Sequence, residues 1–308
     1  MKLYYRIMLG RKSAHFDEAY KGNFIAAGFI KDKDLTDHLP DNWRDFNKEF
    51  IPLFLKQNPD KTKISAGLAC GMLWTIAKGI KEGDIVLCPD GKSNYYTAEV
   101  IGPYEYHKGE ELPHRRAVRW FSKTISREEM SESLKNSTGS IGTVSNITKY
   151  ANEIDALLSG SYPQVITTTD ETIEDPSVFA LEKHLEDFLV RNWKSTELGK
   201  LFDIYEEDGE MAGQQYPSDT GNIDILAISK NKKELLVVEL KKGRASDVVI
   251  GQIQRYMGYV KEELAEKGQS VRGTIIAFED DLKIRRALSV APNIDFYTYK
   301  IHFKLEKK

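Results

Sequence analysis

Two acids stand where carboxylates are costly. Asp224 interrupts the apolar run 222–228 within GNIDILAI, and Glu239 ends the run of Leu and Val at 235–238. Their aliphatic and β-branched neighbours predict two strands joined by the polar hairpin SKNKK. A carboxylate in such a strand loses its hydration, so it is ordinarily eliminated or neutralised unless a cation offsets its charge. Magnesium fits, because it takes carboxylate, carbonyl and water oxygens. Lys241 follows Glu239 by two residues and shares its face of the strand. There its ammonium can orient or help deprotonate a water and stabilise charge on a pentavalent phosphorus. The chemistry would be metal-assisted hydrolysis of a phosphodiester, in which the ion acts as a Lewis acid, activates water and templates the leaving oxygen.

The elements around this hairpin can add to it. Upstream, the helical pattern ALEKHLEDFLVRNW sets Glu182 and Glu186 four apart on one face. Downstream, GQIQRYMGYV sets Gln252 and Tyr256 on one face of a helix, with Arg255 beside them to meet a phosphate. Lys242 and Arg244 are further cations just beyond Lys241, candidates for contacts to phosphates. Patterning predicts helix over 177–192, strands near 201–205, 223–228 and 234–239, helix over 245–266, strand 271–278, helix 282–290 and a last strand 294–299. That order is a mixed α/β domain around a central sheet.

An acid in a helix, then Asp, then Glu-x-Lys, then Gln-x-x-x-Tyr resembles the PD-(D/E)XK nuclease superfamily. The wording GNIDILAI, VVELKKG and IGQIQRYMGYV is similar to the C-terminal domains of NucS/EndoMS-type endonucleases and their Mrr-like restriction relatives, over residues 177–308. The resemblance implies a restriction-endonuclease-like fold and a DNA substrate. It makes Asp224 and Glu239 metal ligands with the Leu240 carbonyl as a third, Lys241 the catalytic lysine, and Gln252 and Tyr256 accessory residues. Glu182, ahead of Glu186, becomes the helix acid. Mg²⁺ is the implied cofactor, with Mn²⁺ as substitute, and a homodimer would address both strands. Ile223 occupies the place of the proline in the superfamily name. Glu-x-Lys alone recurs by chance, whereas the combination is specific. Surface ion pairs on exposed strand ends are the alternative, and they leave the apolar flanks of Asp224 and Glu239 unexplained.

The first half reads as α+β. Strand-like pieces at 3–9 and 23–29 precede helical patterns at 42–55 and 63–77. A hairpin follows with strands 84–88 and 95–101 about the turn Pro89-Asp90-Gly91, then a strand at 117–121 and a helix at 127–134 capped by Ser126. Residues 60–125 resemble PUA-like barrels, including EVE-type modules, which implies a base-reading domain. Trp74, Tyr104, Tyr106 and Trp120 are the candidates for stacking a modified base, and Arg115, Arg116 and Arg119, with His114, for contacting phosphates. The competing expectation is that these aromatics simply pack a sheet. His114 has no second His or Cys at ligand spacing, which argues against a metal role.

A chain of 308 residues supports two cores, and the Ser, Gly, Thr and acidic stretch 158–176 reads as the linker between domains 1–157 and 177–308. A net charge of -3 excludes a uniformly basic coat and leaves segregated charge open. Two cysteines, Cys70 and Cys88, are too few for a disulfide framework or a four-ligand zinc site. No apolar stretch has the length of a membrane span, so a cytoplasmic protein is expected. The Gly/Ser segment 136–148 lacks the GK of a phosphate-binding loop, and no ATPase or methyltransferase motif is found. The function these features favour is modification-dependent restriction or phage defence. Repair of mismatched or branched DNA is the alternative, and a non-catalytic DNA-binding module the third reading.

Overall fold

Short strands buried at every position and two long, partly alternating ones build the sheet of the N-terminal unit. The computed structural model describes residues 2–139, 142–160, 185–207, 209–245, 248–280 and 282–300. It divides the chain into units 1–167 and 168–308. Strands β1 (Tyr4–Ile7), β2 (Phe24–Ala27), β3 (Ile85–Pro89), β4 (Asn94–Tyr106), β5 (His114–Ser126) and β6 (Val144–Asn146) lie in the order β2-β5-β4-β3-β1-β6. Only β1 and β3 run parallel. Among the described residues no ladder joins β2 to β6, so the sheet seen is an open path rather than a closed barrel.

Helices α1 (Phe16–Gly22), α2 (Trp43–Gln57) and α3 (Lys63–Trp74) follow from local signals. The Asn42 side chain accepts from the Arg44 N–H and caps α2, and Thr62 does the same for α3 through Ser65. Phe46, Phe50 and Phe54 fall four apart on α2 and are buried in the same core as Leu73, Ile76 and Ile80. The helix expected at 127–134 is broken in two. Ser126 and Glu129 close a capping box on a short 3-10 turn, then Ser131 caps a new helix, α4 (Glu132–Thr138). A second capping serine restarts the chain where one helix was expected. α5 (Ala151–Ser159) runs into the stretch read as linker, and the rest of that stretch lies outside the described residues.

In the C-terminal unit, helix α6 (185–191) and α7 (Glu197–Leu201) precede β7 (Phe202–Ile204), β8 (Glu206–Glu207), β9 (Glu210–Met211), β10 (Gln214–Ser218), β11 (Gly221–Ser229) and β12 (Glu234–Arg244). Then come α8 (Val248–Tyr259), β13 (Ser270–Glu279), α9 (Leu282–Leu288) and β14 (Ile294–Thr298). The sheet order is β10-β11-β12-β13-β14, with β7 also on β11. β12, β13 and β14 are parallel and the other pairs antiparallel, the mixed sheet expected. Parallel neighbours need crossovers, and α8 and α9 supply them. Ile225, Ala227, Leu236, Val238 and Leu240 share a core with Trp193 and Phe202.

β10 differs from the sequence expectation, because its residues QQYPS, preceded by Gly213, are polar and contain proline. It sits tight against β11: a Cβ on Gly213 would lie 2.1 Å from the Leu226 oxygen and 2.8 Å from the Tyr205 nitrogen. Gly213→Ala is therefore expected to destabilise this unit by several kcal/mol, since backbone rather than a side-chain tip would have to move. Thermal unfolding of the variant checks this. Among the described residues, no helix is long and apolar enough to cross a membrane.

Candidate active site

The hairpin β11–β12 brings the two acids together. Ile225 pairs with Val238, so Asp224 and Glu239 come one step further along the same ladder and face the same side. Leu240 belongs to the opposite face, in the core. Glu239 is 2% exposed. The Lys241 ammonium donates to its Oε1 at 2.9 Å, and the lysine side chain stays 31% exposed. Asp224 Oδ2 accepts from the Leu240 N–H at 2.7 Å. Burial, with Glu239 close by, pushes the Asp224 carboxyl from 3.8 up to about 7, against the Leu240 N–H, Lys241 and Gln215, which favour its charge.

The helix acid reaches this cluster through one glutamine, Gln215, while Gln214 bonds the helix acids alone. Glu186, 6% exposed on α6, accepts from Gln214 Nε2 at Oε1 and from Gln215 Nε2 at Oε2, both at 2.6 Å. Gln215 Nε2 also lies 3.1 Å from Asp224 Oδ1. One carboxamide therefore ties the helix carboxylate to the strand carboxylate. Gln215 holds a left-handed backbone, φ 53°, that a non-glycine residue adopts at a cost of about 1 kcal/mol or more. Strain retained next to the acids fits a positioning role. Glu182, the first choice for the helix acid, lies outside the described residues; Glu186, the second choice, is the one found beside Asp224.

Gln252 and Tyr256 share a face of α8, and the Gln252 amide donates to the Tyr256 hydroxyl at 3.2 Å. Burial raises the Tyr256 phenol, and Glu239, Asp224 and Lys241 are near enough to act on it. The hydroxyl lies against Gly221, where a Cβ would approach to 2.8 Å and φ is +135°. Arg255 is exposed on the same helix. The side chains of Lys242 and Arg244 lie outside the described residues, although β12 carries their backbone past a register shift between Lys241 and Arg244.

The residues fit a divalent ion of the magnesium kind. Asp224 and Glu239 are hard oxygen donors on one face, half-buried and buried in turn, with the Lys241 ammonium beside Glu239. Among the described residues no three Asp, Glu, His or Cys side chains form a ready-made cage. The Leu240 carbonyl would be the further donor named by the resemblance.

Residues 182–298 match the family model of the endonuclease NucS C-terminal domain. The C-terminal part of this chain is NucS-like. Residues 5–148 match a second model, DUF8426, described as a domain of unknown function. No curated protein matches. Among solved structures, a repair endonuclease from Pyrococcus abyssi shares 16% identity at a TM-score of 0.32, covering 69% of this chain and 66% of that one. An EndoMS–dsDNA2 complex shares 13% at 0.32, with 71% and 66% covered, and EndoMS in apo form 13% at 0.30, with 71% and 65%. The chain thus spans just under two thirds of the length of these structures.

The N-terminal candidates do not form one site. Trp74 donates its indole N–H to the Pro40 carbonyl at 2.9 Å. Trp120 packs in a separate group, 5.3 Å from Tyr20 and 6.2 Å from Phe16 between ring centroids. Tyr104 and Tyr106 both pack on His114, which is fully buried and bonded to the Tyr104 hydroxyl. A fully buried imidazole cannot reach a phosphate, which corrects that expectation for His114. Arg116 is buried as well, donating to the carbonyls of Gly102, Ile76, Ala77 and Ile80, so it is not a surface contact for a DNA backbone. Arg115 lies over Phe24 and bonds Glu18 and the Leu112 carbonyl. Arg119 is exposed and paired with Glu99 at 2.5 Å. Basic spacing located these residues, but strand pairing decided which were turned inward. Cys70 and Cys88 are buried free thiols.

Gln214 and Gln215 are the site residues that the sequence reading missed. The only signal was their position just ahead of Gly221 and Asp224 in a segment with no apolar pattern. Gln215→Ala is expected to fold, to weaken Mn²⁺ binding about 10–100-fold, and to slow cleavage accordingly, because Glu186 loses its tie to Asp224. Calorimetric titration of the metal, without DNA, measures the first effect.

Proposed function

We propose that this chain is a metal-dependent endonuclease that hydrolyses phosphodiester bonds of DNA, with Asp224, Glu239 and Lys241 as its centre. The single observation carrying the reading is the pair of carboxylates on β11 and β12, Glu239 buried and Asp224 half-buried, with one lysine on the same strand face. The NucS likeness of residues 182–298 supports it. Mg²⁺, replaceable by Mn²⁺, would supply Lewis acidity and an activated water. Asp224 and Glu239 would hold it, and Glu186 would be kept in reach by Gln215. The Lys241 ammonium, open to solvent and anchored on Glu239, would orient water and offset charge on the phosphorus. Gln252, Tyr256 and Arg255 would line the approach of the strand, with Lys242 and Arg244 on its phosphates.

In the restriction or defence reading the N-terminal unit is PUA-like and selects DNA by a modified base. In the repair reading, which the NucS likeness favours equally, the same core cuts mismatched or branched DNA. A homodimer would let two centres address two strands. Cleavage of plain, 5-methylcytosine, 5-hydroxymethylcytosine, mismatched and branched duplexes with Mg²⁺ or Mn²⁺ separates them. Cutting confined to modified duplexes supports restriction, and cutting of mismatched or branched DNA regardless of modification supports repair. Cutting of none, with DNA still bound, leaves a binding module.

A further inference from the structure

The N-terminal unit has a surface hollow of about 610 Å³ that opens widely to solvent. Arg116 lines it. This arginine is 5% exposed, and its hydrogen bonds leave from Nε and Nη1 only. Among the described residues its Nη2 donates to nothing, and no carboxylate forms an ion pair with the guanidinium. Burial lowers its pKa, opposed only by the more distant charges of Glu82 and Asp84. A buried cation without a paired anion is expensive, and an arginine planted in a cavity wall with unspent N–H groups asks for an acceptor. The planar fork suits a phosphate or the edge of a base.

The rest of the wall points the same way. Lys78 and Lys81 add two cations against the one carboxylate of Glu82. Among the described residues Lys78 is paired only with the exposed Asp41, at 3.0 Å, a contact that gives way at little cost. Leu39 and the ring of Tyr104 make an apolar flank. The Tyr104 hydroxyl is fixed by the Leu35 N–H and His114, which holds the ring in place. A space this large, with cations beside an aromatic wall, exceeds what an inorganic anion needs. We propose that this cavity binds a nucleotide, its acceptor groups meeting Arg116 and its phosphate the two lysines. The nucleotide comes either free from solution or turned out of a DNA strand. The site goes beyond the selection role above, involves only one of the four aromatics first considered, and stands whether or not the chain cleaves DNA.

The test uses the full chain in chelator, so that cleavage plays no part. Binding is measured by calorimetry for deoxynucleoside 5′-monophosphates, inorganic phosphate, and duplexes with and without an unpaired nucleotide. The variants are Lys78→Glu with Lys81→Glu, and Leu39→Trp to fill the space, each first shown to melt as the wild type does. Mononucleotides are expected to bind at least about tenfold more tightly than phosphate, and both variants to lose at least about tenfold. A parallel loss for the duplex with an unpaired nucleotide assigns a strand nucleotide; an unchanged duplex affinity assigns a free one. Phosphate binding as well as the mononucleotides, or mononucleotide affinity indifferent to both variants, overturns the proposal.

Discussion

Asp224→Asn is expected to abolish metal-dependent cleavage and to raise the melting temperature of the metal-free protein. The two effects have one cause. Asp224 sits beside the buried Glu239, and burial together with that neighbour holds its carboxyl near 7. The amide still accepts from the Leu240 N–H while removing a half-buried charge that lies beside Glu239, a gain on the order of 1–2 kcal/mol. Folded Asp224 binds its proton more tightly than the unfolded chain does. Its contribution to stability is therefore fully present below the ordinary value of 3.8 and is lost as pH rises through about 7. The stability difference between variant and wild type should widen over that interval and then level. Added Mg²⁺ should stabilise the wild type and leave Asp224→Asn unmoved, because half the carboxylate pair is gone. Loss of a ligand to the ion, worth several kcal/mol in the transition state, corresponds to at least about 10³-fold in rate. Differential scanning calorimetry from pH 4 to 8, with and without Mg²⁺, reads the stability part. Equal melting curves for both proteins across that range would remove the electrostatic account of the site.

Lys241→Met is expected to lower cleavage by about 10²–10³-fold while destabilising the metal-free protein, the opposite sign on stability. Methionine keeps the length of the side chain and discards its charge. Glu239 then faces Asp224 without the ammonium now 2.9 Å from its Oε1. The lysine is partly exposed, so the loss is discounted to about 1–2 kcal/mol. Mg²⁺ should rescue stability but not rate, since the carboxylates remain. Single-turnover cleavage together with melting with and without Mg²⁺ measures both. A variant that cuts as fast as the wild type would show that Lys241 is only a counter-ion.

Much of the C-terminal unit was legible because its strands are long and apolar and its acids break the pattern. Asp224, Glu239 and Lys241 come together as period-two geometry requires, and Gln252 with Tyr256 as period-3.6 geometry requires. The glutamine clamp was not legible. Gln214 and Gln215 lie on a short edge strand whose register depends on Gly213 having no side chain and on the left-handed turn at Gln215, and neither leaves a hydrophobic trace. In the N-terminal unit the helices α2 and α3 were readable from their caps and aromatic spacing, whereas α1 was missed. The roles of the basic residues were misread for another reason. Alternation along β5 turns Arg116 and His114 inward, while Arg119 remains outside. Residue type alone does not say which face a strand will bury.

The most direct test of the hydrolytic centre is cleavage of supercoiled plasmid by the purified chain in chelator, Mg²⁺ and Mn²⁺, beside Asp224→Asn and Lys241→Met. Nicking or linearisation that requires the metal and disappears in both variants is the expected result. Cleavage in chelator, or cleavage that survives both substitutions, would contradict a metal centre at Asp224, Glu239 and Lys241.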